Sequence, residues 1–271
     1  MMYIMVVGGA VVASAVVFLW IFRRRAPRLT DLQLHKYPGV PDDVHVVSKV
    51  PNDARDAIKS AFLAGSDFRW MTIGGDGNLP ELDEEGSQLG AMHKRLTRYM
   101  IECVMCVAER YGHVLTCVDE EGSTIGALCI IPPYPSQWLF NLHFMRTVIP
   151  LGVPEPRSMG NEVNARFEAF LAGTESGHKS VMGESPHWYV VNLGVAPRSQ
   201  GKKVGMKLIK TAIALAGDLP IYLECHDGNV AFYQKAGFEV ARHLTLTPKA
   251  RGSPGDTTFP YNVMTKGHIK K

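Results

Sequence analysis

The sequence predicts an α/β fold, a sheet covered by helices on both faces, preceded by a single N-terminal transmembrane helix. Three observations carry that expectation. Strand-like apolar runs are interleaved with helical stripes along most of the chain. The last third runs strand, helix, strand over residues 187–195, 201–216 and 221–226, the order of a βαβ-like unit in a covered sheet. Residues 1–22 hold no charged side chain, and Arg23, Arg24 and Arg25 come directly after them.

The N-terminal run comes first. About 20 apolar residues span the roughly 30 Å core of a bilayer as a helix. A cleaved signal peptide carries its positive charge before the apolar run and small residues at its end. Here the order is reversed and the run closes on Leu19, Trp20, Ile21 and Phe22. Residues 1–25 therefore read as an uncleaved, single-pass anchor, and the arginine triplet keeps the rest of the chain on the cytosolic side. Residues 26–42, polar and proline-bearing, read as a tether. Residues 43–271 read as one domain without internal repeats.

Within that domain, 44–50 suits a first strand, and Asn52 caps a helix with apolar spacing at Ala54, Ala57, Ile58, Ala61 and Phe62. A loop rich in glycine and acid, 74–86, leads to a long helix with a stripe at Leu89, Met92, Leu96, Tyr99, Met100, Cys103, Val107 and Tyr111. Two strands, 113–118 and 124–131, flank a turn at 120–123 and form a hairpin stopped by Pro132, Pro133 and Pro135. Residues 137–154 crowd Trp138, Leu139, Phe140, Leu142, Phe144 and Met145 into a short span with His143 and Arg146. Pocket lining, membrane contact and plain core are all open for it. A helix over 161–172 precedes the βαβ-like unit. A short helix over 229–235 and a hairpin of 238–246 with 259–266 complete the chain.

Composition narrows the function. With 271 residues, 46% hydrophobic and 20% charged, the chain can build a sizeable core. A net charge of +3 and the lack of a basic stripe argue against a nucleic-acid partner. Five cysteines, an odd number without framework spacing, sit among apolar neighbours as reduced thiols do. Cys103 and Cys106 form a lone C-x-x-C without a second half, which reads as packing rather than as a metal site.

The stretch R-S-Q-G-K-K-V-G, residues 198–205, joins a strand to a helix. The first N–H groups of a helix have no internal partners, and the helix dipole favours an anion there. Gly201 and Gly205 permit close approach; Arg198, Lys202 and Lys203 add full charges. It is not a Walker A loop, because six residues separate Gly194 from Gly201 and no Ser or Thr comes after Lys202. From these residues alone, a phosphate cradle and a plain connection both stand.

The flanks add a resemblance. The runs HWYVVNLGVAPRSQGKKVGMKLI (187–209) and YLECHDGNVAFYQKAGFEV (222–240) resemble the acetyl-CoA-binding signature of the GNAT superfamily of N-acetyltransferases. Within it they look most like the branch containing puromycin N-acetyltransferase. The matching residues are His187, Trp188 and Tyr189; Gln200, Gly201 and Lys202; Leu223 and Glu224; Asn229 with Tyr233; and Gly237 with Phe238. The element order fits over 44–266, and the sharp match covers 186–240. The resemblance implies a mostly antiparallel central sheet flanked by helices, acetyl-CoA as acyl donor, no metal, and an amine on a small molecule or peptide as acceptor.

It also implies roles. Backbone groups of Leu193, Gly194 and Val195 would hold the pantetheine arm. Arg198, Gln200, Gly201, Lys202, Lys203, Val204, Gly205 and Met206 would bind the pyrophosphate, with Asn229 and Tyr233 completing the cofactor contacts. Tyr233 is the expected acid toward the thiolate, against a reading as a packed aromatic. Glu224 is the candidate base, with His187, His226 and water-mediated transfer as rivals and a purely structural carboxylate as the alternative. Asn192 stands open between a substrate or cofactor contact and a backbone partner. One departure is Lys203, where the family turn has a small residue; if that position needs positive φ a lysine costs about 1 kcal/mol, whereas within a helix's first turn it costs little and its amine can meet phosphate. The expected activity is a membrane-anchored, acetyl-CoA-dependent N-acetyltransferase. A non-catalytic acyl-CoA-binding module and a protein N-acetyltransferase are the alternatives.

Overall fold

The computed structural model describes residues 29–63, 65–74, 86–134, 137–151, 156–248 and 258–267. The anchor expected at residues 1–25 lies outside them. Among the described residues no helix is long and apolar enough to cross a membrane. Most of the loops at 74–86 and 247–258 also fall outside.

Within the stretch read as a tether, Thr30 caps a short helix, α1 (Asp31–Leu34), through a reciprocal bond with Gln33. Leu34 is fully buried, and Asp31 accepts the Val46 N–H at 2.6 Å. The chain then enters β1 (Val44–Val47) and the amphipathic helix α2 (Asn52–Leu63), which buries Ala54, Ala57 and Ile58 as the spacing predicts. A further helix, α3 (Ser66–Ile73), precedes the long α4 (Gln88–Tyr111), capped by Ser87. The stripe on α4 is rotated from the apolar one read in sequence. His93 and Thr97 are buried in it while Met92 and Tyr99 are only half-buried. His93 tolerates burial because its ring bonds the Thr72 hydroxyl at 2.9 Å and the Leu63 carbonyl at 2.9 Å.

The expected hairpin forms as β2 (His113–Val118) and β3 (Thr124–Ile131), every residue of β3 buried. The aromatic stretch becomes α5 (Gln137–Val148), and α6 (Asn161–Val181) extends nine residues beyond the expected helix end at 172. Then come β4 (Trp188–Val195), α7 (Val204–Ala216), β5 (Ile221–His226) and α8 (Asp227–Lys235). The hairpin of β6 (Glu239–Leu246) and β7 (Phe259–Lys266) closes the fold.

Among the described residues seven strands form one sheet in the order β1-β2-β3-β4-β5-β7-β6. Every neighbouring pair is antiparallel except β4 and β5, which run parallel. This is the mostly antiparallel sheet that the resemblance implies. Two large cores lie on its opposite faces, with a small third cluster of Met182, Tyr222 and Val263. One gathers α7 and α8 with Leu208, Ile209, Leu223 and Phe238. The other gathers α2, α3, α4 and α6 with Ile58, Trp70, Leu96 and Met105. Arg166 on α6, 2% exposed, donates to the carbonyls of Met71 at 3.0 Å and Thr72 at 2.9 Å, pinning the end of α3 under that second face.

Candidate active site

The parallel seam between β4 and β5 is very short. Paired positions are Trp188 with Ile221 and Tyr189 with Tyr222; beyond them the two strands no longer pair with each other. Both continue, β4 to Val195 and β5 to His226, so the facing backbone edge of Leu193, Gly194 and Val195 is left without a strand partner on the β5 side. The strands splay because β4 carries a bulge. Cys129 pairs with Asn192 and Ile130 with Val190, which leaves Val191 as the extra residue.

The bulge decides which side chains meet. Consecutive residues of a regular strand point to opposite faces. Here Val191 and Asn192 both line one cavity of about 530 Å³, on the face of α4 and α6. Aromatic and aliphatic side chains from several elements form its walls, among them Phe62, Met100, Phe140, Phe144 and Phe170. Of the three readings open for the 137–154 stretch, the structure shows it lining this pocket through Phe140, Asn141, Phe144 and Met145.

Glu224 lines the cavity from β5, opposite the bulge. Tyr222 and Glu224 are two apart on one strand and so share a face. The Tyr222 hydroxyl donates to Glu224 Oε1 at 2.7 Å, and the Tyr189 hydroxyl bonds the same carboxylate. Burial pushes the Glu224 carboxyl up to about 7, against the two phenols, which favour the ionised form. The group is thus poised to exchange a proton near neutral pH.

Of the rival histidines, His187 lines the same cavity together with His178, but its ring nitrogens are already engaged. His187 Nδ1 lies 2.6 Å from the Ser185 carbonyl, an acceptor only, so that nitrogen carries the proton. Its Nε2 therefore accepts from His178 Nε2 at 2.8 Å. Burial holds both rings below the usual histidine range, His178 at about 4 with His187 contributing. His226 caps α8, its Nδ1 accepting the Gly228 N–H at 3.0 Å.

On the opposite face lies the 198–206 turn. Pro197–Ser199 form a 3-10 turn, and the Gln200 side chain donates to the Val195 carbonyl at 3.4 Å. Arg198, Gly201, Lys202 and Lys203 are exposed. The helix starts at Val204 rather than at Gly201, because Gly201 (φ +78°) and Lys203 (φ +65°) both sit in the left-handed region, outside helical geometry. Lys203 is the non-glycine residue at positive φ among those described. The first intrahelical bond runs from the Lys207 N–H to the Lys203 carbonyl at 3.0 Å, so the N–H groups of Val204, Gly205 and Met206 face the open helix end.

Two glycines here serve packing. A side chain at Gly194 would meet the Ile58 Cα at 2.7 Å, so glycine lets α2 lie against β4. The space beside Gly205 is filled by Phe232 and Leu193, which brings α8 against the start of α7. On α8, Asn229 is exposed while Tyr233 is 7% exposed, its ring edge-on to Phe232 and Phe238. The structure thus gathers the turn, the β4 edge and α8 on one face. Glu224 and Asn192 stand on the other, across the gap between β4 and β5.

Sequence reading missed Tyr222 as a partner of Glu224, although the i, i+2 spacing was visible. It also missed His178 and the α6 wall, which no local pattern announces. Among the described residues no group of three or more His, Cys, Asp or Glu is arranged to hold a metal.

A family model for the acetyltransferase (GNAT) family matches residues 93–238. A comparison with curated proteins finds no match. Solved structures with similar backbones include a histone acetyltransferase HPA2 and related acetyltransferase from Corynebacterium glutamicum, 21% identical, covering 84% of this chain and 98% of its own, with a TM-score of 0.47. Arylalkylamine N-acetyltransferase 2 from Aedes aegypti is 10% identical over 83% of this chain and 99% of its own, TM-score 0.48. A polyamine N-acetyltransferase from Drosophila melanogaster is 14% identical over 83% of this chain and 100% of its own, TM-score 0.45. The family assignment rests on the family model.

Proposed function

Because this chain belongs to the GNAT acetyltransferase family, we propose that it transfers an acetyl group from acetyl-CoA to an amine by direct attack, with Glu224 as base and Tyr233 as acid. The observation that carries the reading is Glu224 itself: a carboxylate at about pKa 7, held by two phenols, facing a cavity at the point where β4 and β5 part. The match of 187–240 to the puromycin N-acetyltransferase branch supports placing the chain near that branch.

The residues fit the acyl donor. The unpaired β4 edge at Leu193–Val195 can bond an extended amide-bearing arm, as a further strand would. The open N–H groups of Val204, Gly205 and Met206, with Arg198, Lys202 and Lys203 around them, suit a pyrophosphate. Acetyl-CoA, when bound, supplies an activated thioester. The Glu224 carboxylate takes a proton from the acceptor ammonium, leaving the nitrogen lone pair free to form the new C–N bond. As the C–S bond breaks, the Tyr233 hydroxyl gives its proton to the departing sulfur, and the second proton shed by the new amide nitrogen restores the phenol through solvent. Backbone N–H groups at the end of β4 stabilise the negative charge that develops on the carbonyl oxygen.

Residues 1–25 complete the proposal as a single-pass anchor with the domain on the cytosolic side; the uncharged run and the arginine triplet support it. Deleting them should move the protein from the membrane pellet to the soluble fraction. The test of the activity is amine-dependent release of CoA thiol. Tight CoA binding without release across a broad amine panel would favour the non-catalytic module instead.

A further inference from the structure

Asn192 is 5% exposed, and neither its Oδ1 nor its Nδ2 has a hydrogen-bond partner among the described residues. Leaving a buried donor or acceptor unmade costs on the order of 1–3 kcal/mol, so a native core rarely keeps both atoms of a carboxamide idle. The bulge at Val191 turns this side chain out of the β-sheet alternation and into the cavity that holds Glu224. A carboxamide with a free acceptor and a free donor side by side is matched by a neutral group with the same pair, of which an amide is the simplest.

The rest of the cavity describes the body of the ligand. Its walls are mostly apolar and aromatic, the lining imidazoles of His178 and His187 bond each other, and two side chains at the lining, Met145 and Leu171, stay 53% and 45% exposed, giving the mouth an apolar lip. Its charged lining residues are acidic, Glu175, Glu184 and Glu224, with no Lys or Arg among the described lining residues. Glu175 and Glu184 are exposed and Glu224 lies inside, so a cation is attracted at the mouth and neutralised at the reaction point. The cavity volume lies within the range of about 300–1,000 Å³ typical of small-ligand sites.

We infer that the acceptor is a primary amine on an aromatic-sized apolar body with an amide group close to the amine, and that Asn192 is the specificity-determining residue that reads the amide. This rests on the acetyl-transfer reading. A polyamine leaves Asn192 unmatched and brings no apolar body to bury against the aromatic walls.

The test uses the full chain with three probes: phenylalaninamide, phenethylamine, which has the same ring and amine without the amide, and spermidine. Wild type should show kcat/KM for phenylalaninamide at least tenfold above phenethylamine, with spermidine lowest. Asn192→Leu should abolish the first difference by raising the KM for phenylalaninamide, leave the KM for acetyl-CoA unchanged, and not lower the melting temperature, since it removes two unpaired polar atoms. Transfer that prefers spermidine, or equal use of the two aromatic amines, overturns this inference while leaving acetyl transfer standing. A raised KM for acetyl-CoA in Asn192→Leu also overturns it, by assigning the carboxamide to the donor. No thiol release with any probe, in wild type that binds acetyl-CoA, overturns the transfer reading and this inference with it.

Discussion

The Tyr222 hydroxyl holds Glu224 Oε1 at 2.7 Å from the adjacent same-face position of the same strand. The pair sits where the parallel seam ends, since Tyr222 is the last residue of β5 to pair with β4. A carboxylate fixed there is both desolvated and oriented. Those two effects oppose each other in its proton affinity, and burial wins.

Removing Tyr222's hydroxyl should therefore move the base further. In Tyr222→Phe the ionised carboxylate loses one donor, and the rising limb of kcat/KM against pH shifts to higher pH. Tyr189→Phe should act in the same direction, because its phenol bonds the same carboxylate. The measurement is the pH profile of thiol release; a limb that stays in place would remove the phenols from the tuning of Glu224.

Glu224 also makes a stability prediction with a definite sign. Its folded value of about 7 lies above the ordinary value of 4.5, so between these the folded protein binds the extra proton. The contribution is fully present below about pH 4.5, is lost as pH rises, and is gone above about pH 7. Glu224→Gln, uncharged throughout, should thus gain melting temperature relative to wild type at pH 8 and not at pH 4.5. Thermal scans at the two pH values check it.

Lys203 carries strain of the opposite kind, in the backbone. A lysine at φ +65° costs on the order of 1 kcal/mol relative to glycine. Lys203→Gly should raise the folding stability by about that amount, and it should weaken acetyl-CoA binding through the lost charge. Chemical denaturation and calorimetry with acetyl-CoA separate the two effects.

Tyr233→Phe keeps the packing of the ring against Phe232 and Phe238 but removes the proton. Turnover should fall at least tenfold with acetyl-CoA affinity nearly unchanged. Unchanged turnover would reduce Tyr233 to a packed aromatic.

The strands and the longer amphipathic helices were legible because they repeat their apolar period, as in Ala54, Ala57 and Ile58 on α2, whereas α1 and α3 are too short to show one and α5 crowds aromatic side chains without a clear period. The start of α7 was misplaced by three residues for a reason that periodicity does not carry: Gly201 and Lys203 both adopt positive φ. The turn and Glu224 stood out through local motifs. Asn192 could not be aimed from sequence, because alternation would set it on the face opposite Val191, and only the bulge reverses that. The cavity was hidden for a different reason. Its walls come from segments as far apart as Phe62 and Tyr261, which meet only after the sheet has formed.

The proposed role of Glu224 as base of an amine acetyltransferase is open to direct test. The direct measurement is CoA-thiol release by the full chain against pH, with acetyl-CoA saturating and phenylalaninamide varied, for wild type and Glu224→Gln. Wild type should release thiol only when amine is present, with kcat/KM for the amine rising through about pH 7. The variant should lose at least a hundredfold while binding acetyl-CoA normally. Release that does not need amine would rule out transfer to an amine, and a variant with the wild-type rate and profile would rule out Glu224 as its base.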